Sequence, residues 1–269
     1  MNCLKVAVTG ASGKMGREII KGLSQFEDIQ IMGAIDIQNM GKDAGELAGI
    51  SSLGIKVTDQ LAQFLEKEQP DLVVDFTHKD AARKNIPVIL QKGVAVVAGT
   101  TGLTDEDLAE YDHLARQNHT SMFLAPNFSL GAVMMMKFAH EAAAYFSQAE
   151  IIEFHNDKKI DSPSGTAIAT ARKIDFPYSS SAAENSTAPE SGCRGGDFAG
   201  VKIHSVRLKS MVAHQEVLFA GTGELLTIRH DSFSRESFIP GIVMAVRKVK
   251  LWKGLKIGLE EILELKTER

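Results

Sequence analysis

Cysteine is scarce in this sequence: its 269 residues contain two, Cys3 and Cys193. They stand far apart with no metal-type spacing, so neither a disulfide framework nor a cysteine-built zinc site is expected. A reduced, cytoplasmic protein is the reading that follows. A basic excess is missing too. The formal net charge is −4, which argues against a nucleic-acid binder relying on bulk positive charge. No apolar run approaches the roughly 20 residues of a membrane span. The N-terminus enters a strand pattern at once, so no signal peptide is expected. No internal repeat is apparent. What is present is a 44% hydrophobic fraction, enough for a sizeable core in one large domain or two modest ones.

The first chemical motif opens the chain. Leu4 to Val8 is short and β-rich, and it runs into Thr9-Gly10-Ala11-Ser12-Gly13-Lys14-Met15-Gly16, which then turns helical. Gly10 permits a tight turn, Gly13 lets backbone approach a pyrophosphate, and Gly16 lets the helix pack close to the sheet. A second strand, Ile29 to Ile35, ends in Asp36, 20 positions beyond Gly16. An acid there can accept a hydrogen bond from an adenosine ribose hydroxyl. A glycine-rich turn alone matches by chance; strand, turn, helix, strand and terminal acid together indicate a dinucleotide site.

Further β-α alternation follows. Residues 38–54 read as a loop and 59–67 as a short helix. Leu72 to Phe76, Val94 to Ala98 and Ser121 to Leu124 read as strands. Lys79 to Gln91 reads as a helix that Pro87 should bend or restart, and Thr104 opens another running to Gln117. This predicts a doubly wound, Rossmann-like parallel sheet. Ligands of such sheets lie beyond the carboxyl ends of the strands. Thr77-His78, Gly99-Thr100-Thr101 and Ala125-Pro126-Asn127 would all stand on that rim. Each alone is an ordinary turn; the shared rim favours cofactor contact.

After Asn127 the style changes. Residues 131–146 read as an apolar helix whose methionines pack a core. Residues 149–152 are an apolar run, and residues 153–167 follow as Glu-Phe-His-Asn-Asp-Lys-Lys-Ile-Asp-Ser-Pro-Ser-Gly-Thr-Ala. Ser164 is a candidate N-cap, and backbone N–H groups at a helix start favour an anion. Lys159 adds positive charge, and His155 can give or take a proton near neutral pH. On spacing alone, a pocket for a carboxylate or phosphate and a plain loop with a capped helix are equally good readings. Residues 176–200 are poorly periodic. Three β-rich segments follow, 201–208, 214–220 and 225–230, the last two joined by Gly221-Thr-Gly223 as a hairpin. This antiparallel portion marks a second, α+β domain with an open mixed sheet. Residues 237–249 read as a helix returning to the first domain, and 257–265 as an apolar tail. The expected division is 1–127 with 237–269 for dinucleotide binding, and 128–236 for substrate binding and oligomerisation.

Such a pairing suggests hydride transfer from a nicotinamide, with the protein holding an anionic acceptor and delivering a proton. His155 and Lys159 are the candidates for that proton. Gly165 and Thr166 would offer N–H and hydroxyl groups to a carboxylate. Arg235 can add a second clamp, or be an ordinary surface arginine. His204, His214 and His230 alternate with apolar residues and read as structural or interface residues.

In order, Gly10-x-x-Gly13-x-Met15-Gly16, Asp75-Phe-Thr77, Gly99-Thr-Thr-Gly102, Ala125-Pro-Asn-Phe-Ser129, Glu153-x-His155, Lys159-x-Asp-x-Pro-Ser-Gly-Thr-Ala167 and Ser205-Val-Arg207 resemble the 4-hydroxy-tetrahydrodipicolinate reductase (dihydrodipicolinate reductase) family. The resemblance runs through nearly the whole chain. It implies a cytoplasmic, usually tetrameric enzyme of the diaminopimelate and lysine pathway that uses NADH or NADPH. It implies that Gly10, Ala11, Ser12, Gly13, Lys14, Met15 and Asp36 bind the dinucleotide. Gly99, Thr100 and Thr101, with Ala125, Pro126, Asn127 and Phe128, would flank the nicotinamide. His155 and Lys159 match the proton-handling pair, and Ser164, Gly165 and Thr166 the carboxylate-binding turn. The second-domain strands would build the tetramer interface. Asn156 stands where the family usually has a second histidine; it can donate a hydrogen bond to a carboxylate but carries no charge. Asp36 would repel a 2′-phosphate and favours NADH, with Lys14 and Lys42 leaving room for NADPH. The rivals are another two-domain NAD(P)-dependent amino-acid or aspartate dehydrogenase, and a dinucleotide-sensing module without turnover.

Overall fold

Short β-branched runs alternating with amphipathic helices give the layered sheet that their periods predict. In the computed structural model, which describes residues 3–174, 176 and 194–263, the chain divides into two units. One is Met1–Ser129 with Phe238–Arg269, the other Leu130–Ser237.

The first unit holds β1 (Leu4–Thr9), β2 (Ile29–Ile35), β3 (Leu72–Asp75), β4 (Ala95–Ala98) and β5 (Ser121–Leu124). A sixth strand, β11 (Gly254–Ile257), pairs parallel with β5. It falls partly in the stretch expected as a tail. The strand order is β11-β5-β4-β3-β1-β2, every pairing parallel. Val6, Val8, Leu72, Val73, Val96 and Val97 are buried, as strands covered on both faces require. Each such side chain contributes about 1.5–3 kcal/mol through burial.

Helices α1 (Lys14–Leu23), α3 (Leu61–Glu68), α4 (Lys79–Gln91) and α5 (Asp105–Gln117) supply the layers, with a one-turn α2 (Ala44–Leu47) inside the segment read as loop. Asp43 caps α2 by accepting from Gly45 and Glu46, a local signal that a short, weakly periodic segment hides. Thr104 and Asp107 form a reciprocal capping box on α5. Pro87 lies inside α4 and does not restart it. Ala82, Ile86, Ile89 and Leu90 are buried along that helix, and their packing offsets the backbone bond a proline cannot donate. Helix α8 (Ile239–Lys248) returns to this unit and packs against α1.

The strands of this sheet end on one line. Thr9 is level with Ile35 and Asp75, Asp75 with Ala98, and Ala98 with Leu124. Gly10, Asp36, Thr77, Gly99 and Ala125 therefore start from a common rim.

The second unit is a five-stranded mixed sheet of order β10-β9-β6-β8-β7. Its strands are β6 (Gln148–His155), β7 (Gly196–Phe198), β8 (Val201–Arg207), β9 (Ala213–Gly221) and β10 (Glu224–Ser232). β6 and β8 run parallel; the other pairs are antiparallel. α6 (Leu130–Ala143) and α7 (Gly165–Lys173) pack on this sheet. Ile151, Val201, Ile203, Val217 and Phe219 are buried, as are Met135 and Met136 of α6. Of the poorly periodic 176–200 segment, residues 177–193 lie outside the described residues, and its far end forms β7.

Candidate active site

In the first unit the glycine turn is built by backbone. Gly10 adopts φ +73°, and its N–H donates to Ile35 O at 2.9 Å. A methyl on Gly16 would stand 2.0 Å from Gly10 O, so helix and turn touch only because no side chain intervenes. Gly13 is the N-cap of α1; no side chain caps that end and its first turn holds no acid. The open N-terminus suits a pyrophosphate. Asp36 accepts from the Ser12 N–H and the Gln38 N–H, both at 2.9 Å. It thus fixes the turn as well as ending β2. Ala11 and Ser12 are buried, Lys14 exposed and Met15 half-buried. These features fit a dinucleotide.

Behind the rim lies Asp75, fully buried. It accepts from the Thr9 hydroxyl at 2.6 Å and from the Thr77 hydroxyl at 2.8 Å, and the Thr100 hydroxyl stands 3.2 Å away. One carboxylate thus gathers the ends of β1 and β3 and the turn after β4. Thr100 and Phe128 are buried, the latter's ring packed on Phe76 and Phe123, so their side chains serve the fold. Gly99 packs against the Phe76 ring. Thr101 and Pro126 are exposed, Ala125 is buried, and the Asn127 side chain accepts from Ser129 N–H.

In the second unit β6 carries Ile151, Glu153 and His155 on one face, because side chains alternate along a strand. Glu153 is fully buried. Its Oε2 lies 2.5 Å from His155 Nδ1. Arg207, on β8 and level with His155, donates Nη1 to Oε2 at 2.9 Å and Nη2 to Oε1 at 2.8 Å. The Ser164 N–H donates to Oε1 at 3.2 Å. Burial would raise the Glu153 carboxyl, but hydrogen bonds from His155, Arg207 and Ser205 hold it down at about 2.

The next residues form a tight turn, with Lys159 N–H donating to Asn156 O at 3.0 Å. The Asn156 amide donates to Lys209 O at 2.6 Å and accepts from Lys158 N–H. Part of its hydrogen-bonding capacity therefore shapes the turn. The Lys159 ammonium is held by both Asp161 oxygens, at 2.8 and 2.7 Å. That ammonium keeps the Asp161 carboxyl below the usual carboxylate range. Ser164 caps α7 by accepting from Ala167 N–H. Gly165 is exposed, lacks a positive φ, and among the described residues has no neighbour within 4 Å of an added Cβ. Nothing among the described residues requires glycine there. Thr166 follows in the first turn, and Thr170 donates to its carbonyl.

The structure thus joins His155 and Ser164 through Glu153 and Arg207. Lys159 is linked to them through Asp161, whose carbonyl accepts from Arg207 Nη2 at 2.9 Å. Arg235 stands exposed on a 3₁₀ turn, and its side chain makes no hydrogen bond or ion pair among the described residues. Glu153, Arg207, Asp161 and Asp75 carried no role in the sequence reading, although all four lie in its motifs. The available signal was an acid two residues before His155, on the same strand face. His204 and His214 pair with Glu150 and Asp231. Among the described residues no cluster is placed to hold a metal.

A parallel sheet with this glycine turn, joined in one chain to a unit carrying imidazole, ammonium and a capped helix start, defines a nicotinamide-dependent oxidoreductase. Residues 4–128 match the family model for the N-terminus of dihydrodipicolinate reductase, and residues 131–263 that for its C-terminus. The chain belongs to the dihydrodipicolinate reductase family. It is 48% identical to the 4-hydroxy-tetrahydrodipicolinate reductase of Moorella thermoacetica, over 97% of this chain and 98% of that one. It is 46% identical to that of Desulfitobacterium hafniense (strain DSM 10664 / DCB-2), over 98% and 100%. Among solved structures it resembles dipicolinate-bound dihydrodipicolinate reductase from Paenisporosarcina sp. TG-14. The TM-score is 0.86 at 39% identity, covering 97% of this chain and 100% of that one. An amine dehydrogenase from Mycobacterium smegmatis, with TM-score 0.68 at 15% identity over 99% and 97%, shares the fold alone. The amino-acid dehydrogenase reading finds no support beyond that fold.

Proposed function

We propose that the chain reduces 4-hydroxy-tetrahydrodipicolinate to tetrahydrodipicolinate with NADH or NADPH, in diaminopimelate and lysine biosynthesis. The carrying observation is that His155 and Ser164 are held on one buried carboxylate, with the Lys159 ammonium on Asp161, whose carbonyl Arg207 ties to the same cluster, within a chain of this family. The net change replaces a ring hydroxyl by hydrogen, so the ring gains a hydride and a proton and releases water. Bound reduced nicotinamide supplies the hydride. His155 and Lys159 supply the proton, the ammonium also drawing in a substrate carboxylate. Ser164, Gly165 and Thr166 hold a carboxylate at the start of α7. Asn156 and Arg235 are the remaining substrate contacts in this reading. The dipicolinate bound to the Paenisporosarcina enzyme supports a small dicarboxylate as ligand class.

NADH is the favoured cofactor. Asp36 places a carboxylate where a 2′-phosphate would approach, and exposed Ile37 follows it without a compensating charge. Lys14 and Lys42 still allow NADPH. Competitive titration of both reduced cofactors tests this; equal affinities would remove the preference. A cytoplasmic homotetramer assembled through the second-unit sheet completes the reading. Light scattering should give about four times the 29.2 kDa chain mass, and a monomer mass would refute it.

Lys159→Ala should lower turnover of the synthase product at least 100-fold, on the scale of proton-transfer catalysis. NADH affinity should stay nearly unchanged. Equal loss of both, or turnover of aspartate in place of this substrate, would sink the assignment.

A further inference from the structure

We propose that Glu153 is a positioning residue: its buried carboxylate fixes His155 with hydrogen on Nδ1, leaving Nε2 as the nitrogen that exchanges the proton. The inference rests on the reading of His155 as a proton-handling group and specifies which atom does the work.

A carboxylate oxygen can only accept. With Glu153 Oε2 at 2.5 Å, Nδ1 must be the nitrogen that carries hydrogen. Two features keep that acceptor in place. The Arg207 fork grips both oxygens, and the Ser164 N–H takes a further position on Oε1. Those hydrogen bonds hold the carboxyl at about 2, so it is ionised at neutral pH. The simpler account is an ion pair kept for stability. A buried ion pair is weak evidence for stability, since apolar groups of equal volume often serve as well. A pair kept only for stability also needs no third and fourth donor. Glu153 takes donors from its own strand, from β8 and from the turn that starts α7. Arg207 continues the chain to the Asp161 carbonyl, two residues from Lys159. One carboxylate therefore sets the ring nitrogen, the anion turn and the lysine loop in a single frame. The arrangement has the logic of a histidine oriented by an acid behind it, in which the acid chooses the tautomer.

The test begins with unmodified enzyme. Nitrogen-15 NMR of labelled histidine, read through an upward pH titration, should show His155 losing its proton from Nε2 and keeping it on Nδ1. Retention on Nε2 would overturn the proposal. Glu153→Gln should lower kcat on the order of 100-fold, while NADH affinity stays unchanged and dipicolinate affinity shifts less than tenfold. It should also give a mixed tautomer signal. Should that variant fail to fold around an orphaned Arg207, Glu153→Gln with Arg207→Met removes both charges, and the same losses are expected. A folded variant with wild-type kcat would overturn the proposal. His155→Ala separates the two levels. Full activity there refutes the proton-handling reading itself. Loss there, with a wild-type Glu153→Gln, refutes only the positioning role.

Discussion

Gly165→Ala separates what the fold needs from what a ligand needs. Residue 165 is the first of α7, its φ is not positive, and an added Cβ would meet no heavy atom of the described residues within 4 Å. The fold should therefore accept alanine. Alanine is also the better helix former, by up to about 1 kcal/mol in a helix interior and less at the first turn. Melting temperature should hold or rise by about 0–3 °C, given roughly 2–4 °C per kcal/mol at this size. Ligand binding should move the other way. The methyl would occupy space through which a carboxylate approaches the helix start. Losing one charge-assisted hydrogen bond costs about 1.5–3 kcal/mol, or about 10- to 150-fold in affinity. Dipicolinate binding by calorimetry and KM for the synthase product are the assays. NADH binding serves as control and should not change. An unchanged dicarboxylate affinity in a fully folded variant would refute the anion-turn reasoning. A fall of several degrees in melting temperature would refute the claim that the fold leaves this position free.

Gly16→Ala is the opposite case: the new methyl would lie 2.0 Å from Gly10 O, against backbone that cannot swing aside. It should cost about 1–3 kcal/mol or more and weaken NADH binding at least tenfold, checked by calorimetry and fluorescence titration. Acid stability should carry a Glu153 signature. Its carboxyl falls from 4.5 to about 2 on folding, so its contribution is complete above about pH 4.5 and is lost as pH falls toward 2. The contribution amounts to about 3 kcal/mol, and urea midpoints at pH 6, 4 and 3 should show that loss in the wild type and less of it in Glu153→Gln.

Local signals made much of this molecule legible beforehand. The glycine turn, the Thr104 capping box and the Ser164 cap are each spelled within a few residues, and the structure forms them there. The hidden features depend on partners far along the chain. β11 is only four residues long, Gly-Leu-Lys-Ile, and becomes a strand by pairing with β5, some 130 residues earlier. Glu153 meets Arg207 54 positions away, and Asp75 meets Thr9 66 positions away. No periodicity encodes such meetings. The Asn156 amide is a related case: its acceptor, Lys209 O, lies on another loop. Pro87 does not restart α4: propensity ignores the burial of Ile86 and Ile89 around it.

The late arrival of β11 bears on how the chain is made. Ribosomes release Leu124 long before Ile257, its neighbour in the sheet. At typical synthesis rates the interval is on the order of 10 s. Throughout it the outer border of Ser121–Leu124 has no covering strand, and an uncovered border of this kind invites pairing with other nascent chains. Clipping the chain before Gly254 would make that temporary hazard permanent, so shortened forms should accumulate as aggregates even with every residue of the glycine turn and the His155 cluster intact.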